Sequence, residues 1–441
     1  MSGASPLARR RRGAELHLGI LGALITASGY LLTALSKDKN IPTELWLLLA
    51  VVLGLFLVAH LGVRAFAPRA DATILPIALM LNGIGWFTIA RLQGGGLTGE
   101  LARVQAIWTA IGVLAFIGVL AVVRRVRVLE RYRYTFLLLG LLALVLPLAP
   151  GLGREVRGAR LWVGVGPYAF QPGELAKVLL VIFFAAYLAD KGPLLARRPS
   201  IKILGPLVIA FGVPIAIMVV QKDLGSSLLL FGVFAAMLYI GSGRAWYLGA
   251  GLGLFAGAAV VSYNLFSRVR DRTSAYLDPW ADPRGKGFQL LQSIFSFGTG
   301  GMRGTGLGLG NPTQIPAVTT DFIFAAIGEE LGFIGTLGII CGYILMLGAG
   351  YRIALSATRP FEKLFAAGLT TVIGVQVFVI IGGVTRVIPL TGVTLPFVSY
   401  GGSSLLANYI LIALLLRISD ETAEAAEKSA IAAAAVPVGV R

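Results

Sequence analysis

The stretch NLFSRVRDRTSAYLDPWADPRGKGFQLLQSIFSFGTGGMRGTGLGLGNPTQIPAVTTDFIFAAIGEELGFIG, residues 264–335, is the one long polar interruption in a chain otherwise made of apolar runs. Crossing a bilayer takes about 20 predominantly apolar residues. No such window fits between Arg268 and Thr320. The segment reads as a loop outside the hydrocarbon, and the apolar runs around it as scaffold. Its charges are lopsided: Arg268, Arg270, Arg272, Arg284, Lys286 and Arg303 are accompanied only by Asp271, Asp278, Asp282 and, where the chain re-enters, Asp321. A basic bowl with few carboxylates suits an anionic ligand.

The rest of the chain sets that loop in a membrane. Of 441 residues 56% are hydrophobic and only 13% charged, with a mean hydropathy of +0.83, whereas a soluble globule is about 25% charged. Composition therefore predicts an all-α polytopic membrane protein. The net charge of +17 does not point to nucleic acid, because Lys and Arg sit in short blocks between spans, as the positive-inside rule expects. The one cysteine, Cys341, lies within an apolar run, which excludes a disulfide framework within the chain and reads as packing. Apolar windows bounded by Gly, Pro and charge predict spans near 18–36, 44–63, 73–90, 106–123, 136–153, 172–189, 203–220, 226–241, 247–263, 331–351, 364–384 and 396–416. Twelve spans put both termini on one side. Residues 1–17 then form a basic cytoplasmic tail, and 419–441, Ala-rich and mixed in charge, a second tail read as frayed helix or disorder.

Arg9 to Arg12, Arg64 and Arg69, Arg124 to Arg133, Lys191 to Lys202 and Arg352 to Lys363 fall in alternate loops and mark the inside face. Arg154, Arg157 and Arg160, together with the long loop, break that pattern on the opposite face. Ligand binding and contact with lipid headgroups both account for them. The glycines of GTGGMRGTGLGLGNP, 298–312, lack the Lys-Ser/Thr ending of a nucleotide cradle, so they predict mobile or closely approaching backbone. His17 and His60 are too few for a metal or nucleophile arrangement, and His60 reads as packing. Ionisable groups at the edges of spans are costly and carry a functional presumption. They are Glu174 and Lys177, Asp223, Asp321, Glu329 and Glu330. Glu174 and Lys177, three apart, also fit a structural ion pair, and Asp321, where a helix begins, also fits a helix cap.

Five stretches in one order carry a resemblance: GARLWVGVGPYAFQPGELAK from 158, QKDLGSS from 221, LDPWADPRGKGFQLLQSIFSFGTGG from 277, TDFIFAAIGEELGFIG from 320 and TLPFVSYGGSSLLANY from 394. Together they resemble the SEDS family, the shape, elongation, division and sporulation glycosyltransferases typified by RodA and FtsW. The C-terminal motif is closest to elongation-type members from actinobacteria. The resemblance covers residues 73–418 and implies a ten-span core, with residues 18–72 as two added helices and 264–320 as the large extracytoplasmic loop. It implies polymerisation of lipid II into glycan strands on the outer face of the membrane, beside a class B penicillin-binding protein. The family's essential aspartate corresponds to Asp321, the Trp of its GARxW motif to Trp162, and the Lys of its PxELAK motif to Lys177. Candidate substrate contacts from these segments are Lys177, Arg160, Trp162, Glu174, Arg284, Arg303, Glu330, Ser399 and Ser403. Two departures stand out: relatives often read LPExHTDFIFA where this chain has IPAVTTDFIFA, and QPDLG where it has QKDLG.

Glycosyl transfer from a lipid diphosphate needs one base, a role for Asp321. Cations, not a second carboxylate, then meet the charge on the leaving group. Arg160, Lys177 and the loop arginines are candidates, and a divalent cation, Mg2+ or Mn2+, is another. A flippase for the same precursor and a scaffold for the penicillin-binding protein are the competing classes. For a substrate anchored by its lipid tail, the loop is expected to cover a cavity open sideways to the bilayer.

Overall fold

The computed structural model describes residues 6–36, 44–93, 96–156, 159–165, 168–197 and 200–434. Arg157 and Arg198, and the ends of both tails, lie outside them. Among the described residues eleven helices are long and apolar enough to cross a membrane, and a shorter apolar segment covers Arg133–Leu148. This is a multi-pass all-α membrane fold with one small sheet.

Helices α1 (Pro6–Leu35) and α2 (Glu44–Phe66) precede α3 (Ile74–Gln93) and α4 (Glu100–Val122). After the short α5 (Arg127–Arg131), α6 (Arg133–Val145) stops earlier than the span expected at 136–153. Pro147 lies in the single tight turn Leu146–Leu148, and proline cannot supply the N–H a helix needs. The chain then forms an antiparallel sheet in the order β1 (Gly153–Val156), β2 (Ala159–Val165), β3 (Tyr168–Phe170), which an all-α reading left out. The alternation in ARLWVGV is its signature: Arg160 and Trp162, two apart, share one face of β2.

Next come α7 (Pro172–Arg197), α8 (Ile201–Val220), α9 (Leu224–Ser242) and α10 (Trp246–Leu265). Asp223 caps α9 by accepting from the Ser226 N–H at 3.0 Å, and Gly243, at φ +67°, ends it. The segment expected as a loop carries α11 (Ser267–Leu277) and α12 (Phe288–Gly300) before α13 (Ile323–Ser356), α14 (Pro360–Val384) and α15 (Gly402–Ala434). Of the two expectations for the C-terminal tail, frayed helix and disorder, the structure has helix as far as Ala434. Its first turns bury Ile418, Ser419 and Asp420, and that burial keeps the helix from fraying.

The core is formed chiefly by α3, α4, α7, α9, α13, α14 and α15, whereas α10 buries none of its apolar window. Its exposed Leu252, Leu254, Val260 and Leu265 suit lipid, which satisfies apolar side chains but not backbone. Cys341 is likewise exposed on α13, not packed. At one end of the bundle Arg12 reaches Glu15 and the Ala70 carbonyl, and Glu15 takes His60 Nδ1 at 2.7 Å. Arg69 there meets Asp420 through its N–H and Glu427 through its guanidinium, each at 2.7 Å, and Arg417 donates to the Phe66 carbonyl at 2.7 Å. The first and last helices thus close on the same short turn.

The opposite end holds the glycine-rich segment, and here the glycines serve close approach. A Cβ at Gly304 would strike the Glu330 backbone, and one at Gly332, itself at φ +65°, would strike the Gly304 amide. Gly332 breaks α13 into two helices. Glu329 accepts from Ser296 Oγ at 2.7 Å and from the Asn311 N–H at 2.6 Å. Glu330 accepts from the Gly308 N–H at 3.1 Å and pairs with Arg91 at 3.2 Å, and Arg91 donates to the Gly308 and Gly310 carbonyls at 3.0 Å each. Both carboxylates pin the loop. Glu330→Ala is expected to cost about 3 kcal/mol, the size of a broken buried ion pair, and to expose residues 301–311 to protease. Thermal unfolding in detergent with limited proteolysis measures both, and unchanged melting with a protected loop would contradict the pinning role.

Candidate active site

Asp321 lies in the turn just before α13, partly exposed. The turn is built by IPAVTT: Ala317 adopts φ +57°, and its carbonyl accepts from the Thr320 N–H and Thr320 Oγ1, both at 3.1 Å. That Ala stands where the family motif has Glu, and the left-handed backbone costs a non-glycine residue energy that the surroundings must supply. They do so through the segment before α15. The Tyr400 N–H donates to the Thr319 carbonyl at 2.8 Å, and Ser399 Oγ to the Thr320 carbonyl at 2.5 Å.

That supporting segment is irregular backbone inside the bundle, tolerable only if its polar groups find partners. Gln376 donates to the Thr394 carbonyl at 2.8 Å, Tyr343 to the Pro396 carbonyl at 2.5 Å and Gln105 to the Ser399 carbonyl at 3.4 Å. The Leu395 N–H donates to Ser399 Oγ at 2.9 Å. Ser399, read from sequence as a substrate contact, is buried and engaged at both ends with protein. Ser403 is similar, its buried hydroxyl accepting from the Gln171 N–H at 2.8 Å, which joins the base of the sheet to α15.

Arg272 on α11 is the residue that the sequence reading left among the loop arginines. Its Nη1 donates to the Thr391 carbonyl at 2.8 Å. A Cβ built on Gly392, at φ +74°, would lie 3.1 Å from Arg272 Nη2 and 3.5 Å from Asp321 Oδ2. Guanidinium and carboxylate therefore converge on one glycine, where a side chain would intrude. Burial lowers Arg272 from the ordinary arginine range and Arg268 adds to this, while Asp321 and Asp223 act the other way. A guanidinium stays charged regardless. The position of α11 is fixed from two sides. Arg386 donates to the Tyr276 and Leu277 carbonyls at 2.9 and 2.8 Å, and Lys286 pairs with Asp271 at 2.6 Å.

Asp223 extends the group toward α7. Burial pushes its carboxyl up from the ordinary range and Glu174 works in the same direction, against the Ser226 hydrogen bonds and Lys177. Lys177 and Glu174 are buried and paired at 2.8 Å. The ion pair expected from their spacing is present, and it sits within electrostatic reach of Asp223. Lys222, at the position of Pro in the QPDLG form of the motif, adopts φ +63°, a conformation closed to proline.

The other candidates are spread more widely. Arg160, Arg284 and Arg303 are exposed and Trp162 partly so, whereas Glu330 is spent on the glycine loop. Trp280 and Phe295, both exposed, meet edge to face with centroids 5.8 Å apart, an arrangement suited to a membrane interface. Among the described residues no three His, Cys, Asp or Glu side chains gather as a metal site.

Comparison with known proteins agrees with this architecture. A family model described as "Cell cycle protein", that of FtsW, RodA and SpoVE, matches residues 72–424. The peptidoglycan glycosyltransferase RodA of Mycobacterium tuberculosis is 43% identical over 424 residues, covering 93% of this chain and 90% of its own. The probable peptidoglycan glycosyltransferase FtsW of Geobacter metallireducens is 37% identical over 364 residues, covering 80% of this chain and 95% of its own. A chain in a solved peptidoglycan synthase complex, described as coordinating polymerization and crosslinking, aligns with a TM-score of 0.66 at 29% identity, over 80% of this chain and 98% of that one. This chain belongs to the FtsW, RodA and SpoVE family.

Proposed function

We propose that this protein, a peptidoglycan glycosyltransferase by its family, polymerises lipid II at the outer face of the cytoplasmic membrane with Asp321 as general base. The observation that carries the reading is the meeting of Asp321 and Arg272 at Gly392, on the end of the bundle away from the arginine-rich turns. The arginine-rich turns lie at the other end, with the start of α1 and the far part of α15, which supports placing both termini in the cytoplasm. The charged groups of the site all come from that one end, which favours chemistry at the surface over carriage through the bilayer.

In the proposed step Asp321 takes the proton from the acceptor sugar hydroxyl as its oxygen bonds to the donor anomeric carbon. The bond from that carbon to the diphosphate oxygen breaks, and its electron pair leaves with the undecaprenyl diphosphate. Attack opposite the leaving group inverts the anomeric carbon. Arg272 and Lys177 supply fixed positive charge for the diphosphate, and the protonated form that burial favours at Asp223 leaves that charge less neutralised. Ser399 acts by holding the Asp321 turn. A divalent cation, Mg2+ or Mn2+, would be held by the substrate's own phosphate oxygens and would add positive charge there. The likeness to a synthase complex supports a class B penicillin-binding protein as partner, and the mycobacterial relatives support a role in elongation.

The N-cap of α13 is Phe322 and not Asp321, so the cap expected from sequence is not made there; Asp321→Asn, nearly isosteric, is expected to fold and to lose about 100-fold or more in lipid II polymerisation. Glycan length on gels reads this directly, and wild-type product from the folded variant would remove Asp321 from the base role. Arg272→Gln is expected to lower the rate about tenfold or more at saturating lipid II, because charge stabilisation grows toward the transition state. A pure KM effect would instead make Arg272 a binding residue.

Asp223→Asn keeps the cap and removes a buried ionisable group. Because burial raises the folded-state value above the ordinary 3.8, the wild type loses stability as pH climbs from there through the raised value. The variant should therefore melt higher than wild type at pH 8 and equal to it near pH 4. A lower melting point at pH 8 would mean that the cationic neighbours outweigh burial.

A further inference from the structure

At the end of the bundle opposite Asp321 lies an open cavity of about 620 Å3, lined by Arg127, Glu130, Arg131, Arg133, Asp190 and Arg359. Its walls come from the junction of α5 and α6, the far half of α7 and the start of α14, three stretches distant from one another in sequence. Four guanidinium groups thus share one concavity with two carboxylates, and Glu362 is buried behind Arg359.

The pairing inside is loose. Arg133 stands 3.4 Å from Asp190, which it shares with Lys191, and Arg359 stands 3.8 Å from Glu362. A charge-assisted hydrogen bond is shorter, about 2.7–2.9 Å. Among the described residues neither Arg127 nor Arg131, one helical turn apart, has a carboxylate within ion-pair distance. Topology bias alone would scatter arginines around this end of the molecule. It gives no reason for two stretches distant in sequence, the α5–α6 junction and the start of α14, to bring them into one cleft.

The rim says what kind of anion fits. Val128, Tyr132, Tyr134 and Leu138 are exposed beside the cleft, and the Arg133 guanidinium lies 5.3 Å from the centroid of the Tyr134 ring. Tyrosines at this level belong to the membrane interface, and basic clefts between helices on the cytoplasmic side suit lipid headgroups. We propose that this cavity holds the phosphate headgroup of an anionic phospholipid, with the acyl chains running along the exposed leucines of α6. Bidentate contact from Arg127 and Arg131 would bind the phosphate, and the bound lipid would bridge α5 to α14. A free phosphate shares this chemistry but makes no use of the apolar rim.

Native mass spectrometry of the full chain, released from detergent containing phosphatidylglycerol or phosphatidylcholine, tests this. Wild type should retain phosphatidylglycerol selectively, and Arg127→Gln with Arg131→Gln should lower retention about thirtyfold, the scale of two basic residues at a lipid surface. Lys363→Gln, an exposed charge at the same end, should leave retention unchanged. Arg127→Lys with Arg131→Lys, which keeps the charge but loses the bidentate fork, should retain more lipid than the double Gln variant and less than wild type, which separates loss of charge from loss of fold. Equal retention of phosphatidylcholine, or full retention by the double Gln variant, would overturn the proposal. Displacement of the lipid by millimolar inorganic phosphate would overturn the lipid as the source.

Discussion

The hydroxyl of Ser399 is the point on which the site depends. It takes the Leu395 N–H, gives its proton to the Thr320 carbonyl, and so joins two irregular segments that have no helix or sheet of their own. One carries Asp321. The other is suspended in the bundle by Gln376, Tyr343 and Gln105. A carboxylate on a turn with a left-handed alanine would otherwise have several positions open to it. The backbone strain at Ala317 and Phe397, at φ +57° and +64°, persists because these hydrogen bonds hold it.

Around that point the helices are arranged by polarity. The chain alternates direction so that α7, α9 and α13 all begin at the end where Asp321 sits. Each helix start presents unpaired N–H groups and a partial positive charge. Lys177 and Arg272 add full charges to the same region, and the acidic groups there are paired, capped or shifted by burial. The region is electropositive by both backbone and side chain, which is the condition for holding a diphosphate.

Much of this was legible in the sequence. The spans follow from length and apolarity, and Asp321 stands out as an acid between two threonines and an apolar helix. The Glu174 and Lys177 pair follows from helical spacing. What escaped depends on contacts between distant residues. Arg272 looks like any other loop arginine until Thr391, 119 positions later, accepts its hydrogen bond. Glu330 reads as a substrate contact until Arg91 and the glycine loop meet it. The sheet escaped because its strands are short and interrupted by Gly and Pro, although the alternation in β2 was on view. The left-handed Lys222 gives the departure from QPDLG a physical meaning: the turn taken here is one that proline cannot make.

The closing of α1 and α15 on one turn also bears on how the molecule is made. Arg69 reaches Asp420 and Glu427, and Arg417 reaches the Phe66 carbonyl, across some 351 to 358 positions of chain. During synthesis α1 and α2 enter the bilayer long before α15 exists, so the Arg69 turn waits with its charge unmatched. Lateral insertion of each helix can proceed in order, but the bundle becomes one cooperative unit only when α15 arrives. Until then α3 and α4 present to lipid, or to an insertion factor, the surfaces that α15 later covers.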